Sequence, residues 1–343
     1  ENSKRMPTRY GQLVIGAPGS GKTTYCEGMR QYMSALGRFP AIINLDPANE
    51  NLPYEAAIDL SDLVSLQTVM EEMKLGPNGG LIYCLDYLEA NIDWLLKKLE
   101  DLEPNRYLVF DFPGQLELFT HCSSVLKISQ ILTKLDFRLT AVNLIDAHHC
   151  SDPSKFISAS LLALTMMIQL EMPHINVLSK VDLIEQYGPL PFNLEFFTDL
   201  QDMERLLPYL DSSPASAYDE HGAAEDTDGH AFTPSPVRAD KIQRRRRLHS
   251  AMCELIDDYN LVSFETLNIQ EAESVGRVLA LIDKSNGYVY GASESKSTAA
   301  AKYASKLFSA ISPDTGMHAE RTLLVQERYA GQTKDGRDLD SAP

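Results

Sequence analysis

The string Gly16-Ala-Pro-Gly-Ser-Gly21-Lys22-Thr23 constrains this chain more than any other. It fits G-x-x-x-x-G-K-[ST] at every position, directly after the apolar run Leu13-Val-Ile15 and before a helix-sized segment that begins at Lys22. Strand, loop and helix in that order are the setting the motif requires. Glycines let the backbone curl until successive N–H groups converge on a phosphate. The helix N-terminus adds its partial positive charge. In such a loop Lys22 meets the β- and γ-phosphates as a point charge, and the Thr23 hydroxyl is a Mg²⁺ ligand. Gly16, Gly19, Ser20, Gly21 and Thr24 complete the cradle. The competing reading is a glycine-rich turn with an exposed lysine, and a full match in the right context leaves it little room. A nucleoside triphosphate site follows.

The rest of the chain supplies the scaffold such a loop needs. Leu13–Ile15, Ala41–Leu45, Tyr107–Phe110, Thr140–Ile145, Ile175–Leu178 and Leu261–Phe264 read as buried strands, too short for helices and too continuously apolar for half-exposed strands. Helix-sized segments lie between them: Lys22–Leu36, Leu60–Met73 with Ser61 as a capping residue, Ile92–Glu100 and Pro153–Leu170. That alternation predicts an α/β fold, a mainly parallel sheet with helices on both faces. Chemistry is then expected at the carboxyl ends of the strands. One domain is expected over 10–290, after an N-terminal extension at 1–9. Residues 211–240 are Ser, Pro, Ala, Gly, Asp and Glu with almost no large apolar side chain, and read as a disordered loop insertion. The 291–343 tail reads as partly disordered.

Charge narrows the partners. With 31 Lys and Arg against 48 Asp and Glu, the net charge is −17. A duplex or RNA backbone demands a basic surface, so no direct nucleic-acid contact is expected, whereas a nucleotide needs only one local positive pocket. The Arg244–Arg247 run reads either as a nuclear-import address or phosphate patch, or as a solvated helix face. The five cysteines form no CxxC pair, so neither a zinc site nor a disulfide framework is indicated, and a reducing compartment is expected. Cys150 shows no activating partner. Glu1 to Arg9 lacks a signal peptide's apolar stretch, and Leu161–Leu170 is too short to span a bilayer, so no membrane is expected. Adjacent His148 and His149 follow Asp146, but neighbours on an extended chain point to opposite sides, which disfavours metal binding.

Three further strings stand at strand ends. Asp111-Phe-Pro-Gly114-Gln115 follows Tyr107–Phe110, which suits a carboxylate that holds Mg²⁺, a Gly114 N–H that senses the γ-phosphate and a Gln115 that orients water. The alternative is a plain turn after a strand. Asp46-Pro47 leaves Ala41–Leu45 and is either a carboxylate facing the γ-phosphate or an Asp-Pro turn initiator. Ser179-Lys180-Val-Asp182 follows Ile175–Leu178. A carboxylate at Asp182 accepts both N1–H and the N2 amino group of guanine, while adenine offers no donor at N1. Lys180 lays its aliphatic stem along the base. Ser179 stands where Asn or Thr is commoner. GTP is favoured, with ATP open.

Between the second and third of the expected strands comes Gly76-Pro77-Asn78-Gly79-Gly80, by itself only a turn. In company with the strings above, in this order, it resembles the GPN-loop GTPases over roughly residues 10–290. The longer strings Asp46–Glu50, Leu144–Pro153, Phe192–Asp199 and Leu281–Tyr288 narrow the resemblance to one branch of that family. The resemblance implies a three-layer P-loop NTPase fold of the dimerising (SIMIBI) class. It implies a GTP/GDP site with Mg²⁺ held by Thr23, Asp46 and Asp111. Asp46 would join the magnesium and water network, with Gln115 and Glu117 near the attacking water. The Gly76-Pro77-Asn78 loop would reach into a partner's site, Asn78 acting in trans. A homodimer or a heterodimer with a paralogue, RNA polymerase subunits or assembly factors as partners, and a cytoplasmic protein that shuttles to the nucleus are implied likewise. Two rival readings stand beside it: a P-loop kinase, for which no acceptor pocket is visible, and a nucleotide-binding scaffold with negligible turnover.

Overall fold

The computed structural model describes residues 8–49, 51–188, 190–211, 236–288 and 315–330. Most of the 1–9 extension, residues 212–235 of the acidic insertion and most of the tail lie outside the described residues. Seven strands form one sheet: β1 (Arg9–Gly16), β2 (Ala41–Asn44), β3 (Ile58–Asp59), β4 (Leu108–Asp111), β5 (Phe137–Asp146), β6 (His174–Ser179) and β7 (Phe264–Leu267), in the order β3-β2-β4-β1-β5-β6-β7. Every pairing is parallel. The connections after β1 and β2 run to one edge, and those after β5 and β6 run to the other. The crevice therefore opens at the carboxyl ends of β1, β4 and β5, as doubly wound sheets require.

Period-two alternation sorts the strand residues onto two covered faces. Leu13, Ile15, Ile43, Leu108 and Phe110 face a core closed by α2 (Leu66–Met73), α3 (Pro77–Ala90), α4 (Ile92–Asp101), α5 (Glu117–Thr120) and α6 (Ser124–Lys134). Val14, Ile42, Val109, Val142 and Val177 face α1 (Lys22–Ala35) and the helix Ala272–Asn286. These helices pack so closely on the sheet edge that a Cβ at Gly28 would stand 2.5 Å from Ile269, and one at Gly276 would stand 2.5 Å from the Tyr32 hydroxyl. A third cluster gathers α7 (Pro153–Leu170), α8 (Leu194–Asp199), α9 (Leu207–Asp211) and the helix Pro236–Tyr259 around Phe156, Phe197 and Phe264. By length and composition α7 is apolar enough to cross a membrane, yet Phe156, Ile157, Ala163, Leu164 and Met166 are buried in these cores.

Several expected boundaries move. β7 lies three residues later than the Leu261–Phe264 run, and the two-residue β3 had no pattern to announce it. The expected Leu60–Met73 helix is two pieces, a 3₁₀ turn at Leu60–Asp62 capped by Asp59 and then α2. Gly76-Pro-Asn is not a free turn: Gly76 is the cap of α3 and Pro77 its first residue, where a missing N–H costs nothing. The tail contributes the helix Thr315–Tyr329, whose Gln326 accepts from Leu194 N at 2.9 Å and whose Tyr329 hydroxyl accepts from Asn268 at 2.8 Å. Arg244, Arg246 and Arg247 lie exposed on the helix Pro236–Tyr259.

The string Leu281–Tyr288 has a structural role. Asp283, fully buried, accepts from Arg38 at 2.6 and 3.2 Å, and the guanidinium stacks 3.9 Å from the Tyr288 ring centroid. Asn286 donates toward Gly11 O and the Tyr107 hydroxyl. We predict that Asp283→Ala, which removes the buried carboxylate that pairs with Arg38, lowers stability by about 3 kcal/mol. A urea-denaturation midpoint equal to that of the unaltered chain would refute this.

Candidate active site

The loop after β1 is built by backbone conformations that only glycine adopts freely. Gly16, Gly19 and Gly21 have φ of +139°, +78° and +91°. At Gly16 a Cβ would also stand 2.3 Å from Leu144 O of the neighbouring strand. Gly21 caps α1 and leaves its first N–H groups without a side-chain partner, the arrangement that receives an anion. Lys22 is 8 % exposed, and its Nζ folds across the loop to donate to Gly16 O (3.1 Å) and Ala17 O (3.2 Å). Burial lowers its pKa, while Asp111 and Asp46 pull the other way. Thr23 follows on the first turn of α1, and Thr24 is exposed beside it.

Asp111 ends β4, in register with Val14 of β1, which puts its carboxylate under the loop. It is 1 % exposed; burial pushes its pKa up to about 6, against the lowering effect of the Tyr54 hydrogen bond and the Lys22 charge. Tyr54 donates to Oδ2 at 2.7 Å. Oδ1 is buried and makes no hydrogen bond of good geometry, and Thr23 adjoins the carboxylate. Asp46 Oδ1 accepts from Ala48 N at 3.0 Å, as a turn initiator does; burial raises the pKa of the same carboxylate, while that bond and the Lys22 charge act the other way. Asn49 donates to Thr23 Oγ1 at 3.1 Å. A buried, unpaired oxygen on Asp111 with Thr23 and Asp46 close by fits a Mg²⁺ site, since that ion takes one or two carboxylates and fills the rest with phosphate oxygens and water.

Gly114 touches the loop directly. A Cβ there would stand 2.7 Å from Lys22 Nζ and 3.0 Å from Pro18, so only glycine brings its backbone this close to the phosphate cradle. Gln115 then donates to Asn78 Oδ1 at 2.6 Å, which joins the start of α3 to the loop after β4 within one chain. Glu117 begins α5 and is exposed, with no hydrogen bond from its carboxylate to the phosphate loop.

The loop after β6 is tied to the phosphate loop twice. Ser179, 6 % exposed, shares its hydroxyl proton between Ser20 O (2.8 Å) and Ile145 O (3.1 Å), so the shorter side chain still makes a supporting contact. Lys180, in the left-handed region at φ +59°, donates to Gly19 O at 2.6 Å and to Asp146 Oδ2 at 2.7 Å. Asp182 sits one turn on, partly exposed, in a 3₁₀ helix at Val181–Tyr187. His148 and His149 occupy the 3₁₀ turn Ala147–Ser151 rather than an extended strand. His148 packs edge-on to Tyr187 at 4.6 Å, and His149 lines a cavity of about 320 Å³ with Asn143 and Leu116. Among the described residues no group of three or more His, Cys, Asp or Glu forms a metal cage. Burial pushes the Cys150 thiol up, as suits a structural residue. Tyr54, Asn49 and Asp146 were not singled out in the sequence. Asn49 and Asp146 stand inside the quoted Asp46–Glu50 and Leu144–Pro153 strings, whereas nothing local marks Tyr54.

The chain matches a family model described as "Conserved hypothetical ATP binding protein" over residues 14–288. It is 47% identical to GPN-loop GTPase 2 of Danio rerio over 95% of this chain and 94% of that one. It is 46% identical to GPN-loop GTPase QQT1 of Arabidopsis thaliana over 93% and 97%, and 43% identical to GPN-loop GTPase 2 of Saccharomyces cerevisiae over 83% and 76%. A solved apo-form GTPase from Pyrococcus abyssi shares the fold with a TM-score of 0.59 at 22% identity, over 80% of this chain and 97% of that one. Motif order, site geometry and likeness along almost the whole chain converge, and the chain belongs to the GPN-loop GTPase family.

Proposed function

We propose that this chain hydrolyses GTP to GDP and phosphate as a magnesium-dependent dimeric switch. The observation that carries the proposal is the 2.6 Å bond from Lys180 to Gly19 O, which holds the loop of Asp182 against the phosphate loop. One nucleotide can then meet Lys22 with its phosphates and Asp182 with its base. The names of the relatives support guanine, although the family model's description says ATP.

In this reading the P-loop amides and Lys22 stabilise charge on the phosphates, and binding in a fixed pose removes most of the entropic barrier. Lys22 leaves Gly16 O and Ala17 O for the phosphates. Thr23 and Asp111, with Asp46 beside them, hold the Mg²⁺, which when bound supplies further charge neutralisation at the phosphates. Gln115 and Asp46 order water, with Glu117 nearby on α5. No arginine in these loops supplies a finger, so Asn78 of a second copy or a paralogue is assigned that place in trans. Asn78 must then exchange its bond to Gln115 of its own chain for one across the dimer. Action in the cytoplasm and nucleus on RNA polymerase subunits or assembly factors, in polymerase assembly and import, belongs to the same proposal; family membership is its support.

We expect turnover of GTP, not ATP, with specific activity that rises with protein concentration; tight GTP binding without turnover at any concentration would point to a scaffold instead. Asp182→Asn is expected to weaken GTP by at least 10-fold while sparing xanthosine triphosphate, on the order of the cost of an unpaired buried polar contact. Equal loss of both nucleotides would remove Asp182 from base reading. Asn78→Ala should lower kcat by roughly 10²-fold, the order seen when one charge-stabilising donor is removed, with nucleotide affinity intact. Unchanged turnover would sink the trans role.

A further inference from the structure

We propose that Tyr54 is a positioning residue for the magnesium ion. The inference rests on the GTP and Mg²⁺ reading above and adds to it a residue.

Tyr54 is 5 % exposed, its ring packed in the core under α1 with Val14, Cys26 and Val109. Its hydroxyl donates to Asp111 Oδ2 at 2.7 Å. A carboxylate turns easily about its last torsion, so which oxygen meets a metal is undecided unless something holds the other. Tyr54 holds it. Oδ2 is occupied, and Oδ1 is left buried without a hydrogen bond of good geometry, on a carboxylate that Thr23 adjoins. A phenol hydroxyl stays protonated through physiological pH, so Tyr54 remains a donor. A donor that stays on Oδ2 favours the charged carboxylate, the form a cation needs.

The test uses the full chain and GDP carrying a fluorescent N-methylanthraniloyl group. In EDTA, Tyr54→Phe is expected to bind the labelled GDP within about twofold of the unaltered chain, because the ring remains in place. On titration with MgCl₂, the free Mg²⁺ concentration at half-saturation is expected to rise on the order of 10-fold, the weight of one hydrogen bond to a charged group. An unshifted midpoint overturns the assignment, as does an equal loss of metal-free GDP affinity, which would trace the effect to packing. An unaltered chain that binds GDP but ignores Mg²⁺, or binds no GDP, overturns the parent reading and this one with it.

Discussion

A carboxylate buried beside a buried ammonium, Asp111 under Lys22, is the constraint around which the crevice is organised. Each group is costly alone in the interior, and each lowers the cost of the other. The pair exists because β1 and β4 are neighbours with Val14 opposite Asp111. It is sustained because Tyr54 supplies a hydrogen bond and Gly114 brings backbone within reach of the Lys22 ammonium. Burial nevertheless pushes the Asp111 pKa up to about 6. A fold that accepts this cost at one point is poised for a cation and a polyanion to arrive together.

The crevice is joined to the second half of the sheet by main-chain acceptors more than by side-chain pairs. Ser179 and Lys180 donate to carbonyls of the phosphate loop itself, and Lys180 also reaches Asp146 at the end of β5. The loop after β6 is thereby tied to the phosphate loop. The helix Thr315–Tyr329 packs against α8 and the Asn268 corner, so the chain beyond the family-matched region buttresses the same half. On the opposite side, Gln115 and Asn78 join the loop after β4 to α3. Each of the loops expected to touch nucleotide is thus bonded to a neighbour that would feel its displacement.

Much of this was legible locally. The glycines of the P-loop announce positive φ, Lys22 and Thr23 stand at the spacing phosphate chemistry needs, and continuous apolar runs announce a parallel sheet. Where local reading failed, the deciding contacts were distant. β3 is two residues long and exists only because β2 offers it a free edge. Leu60–Met73 breaks in two because Asp59 caps Ser61 N and starts a separate turn. The Leu281–Tyr288 string looks like a site motif, yet it buries an ion pair with Arg38 and belongs to the core.

The sequence by itself determined the class of ligand and the side chains expected to meet it, because glycine curvature, a lysine and carboxylates at strand ends act over a few residues. Only the tertiary structure decided what supports them. Tyr54 on Asp111, Asn49 on Thr23, Lys180 on Gly19 and Asn78 on Gln115 join residues that no local pattern relates. The physical reason is that a hydrogen bond depends on distance in space, and distance in space between separate strand ends is set by sheet order. That order, with β4 inserted between β2 and β1, is what packing of both sheet faces selects and no single segment encodes.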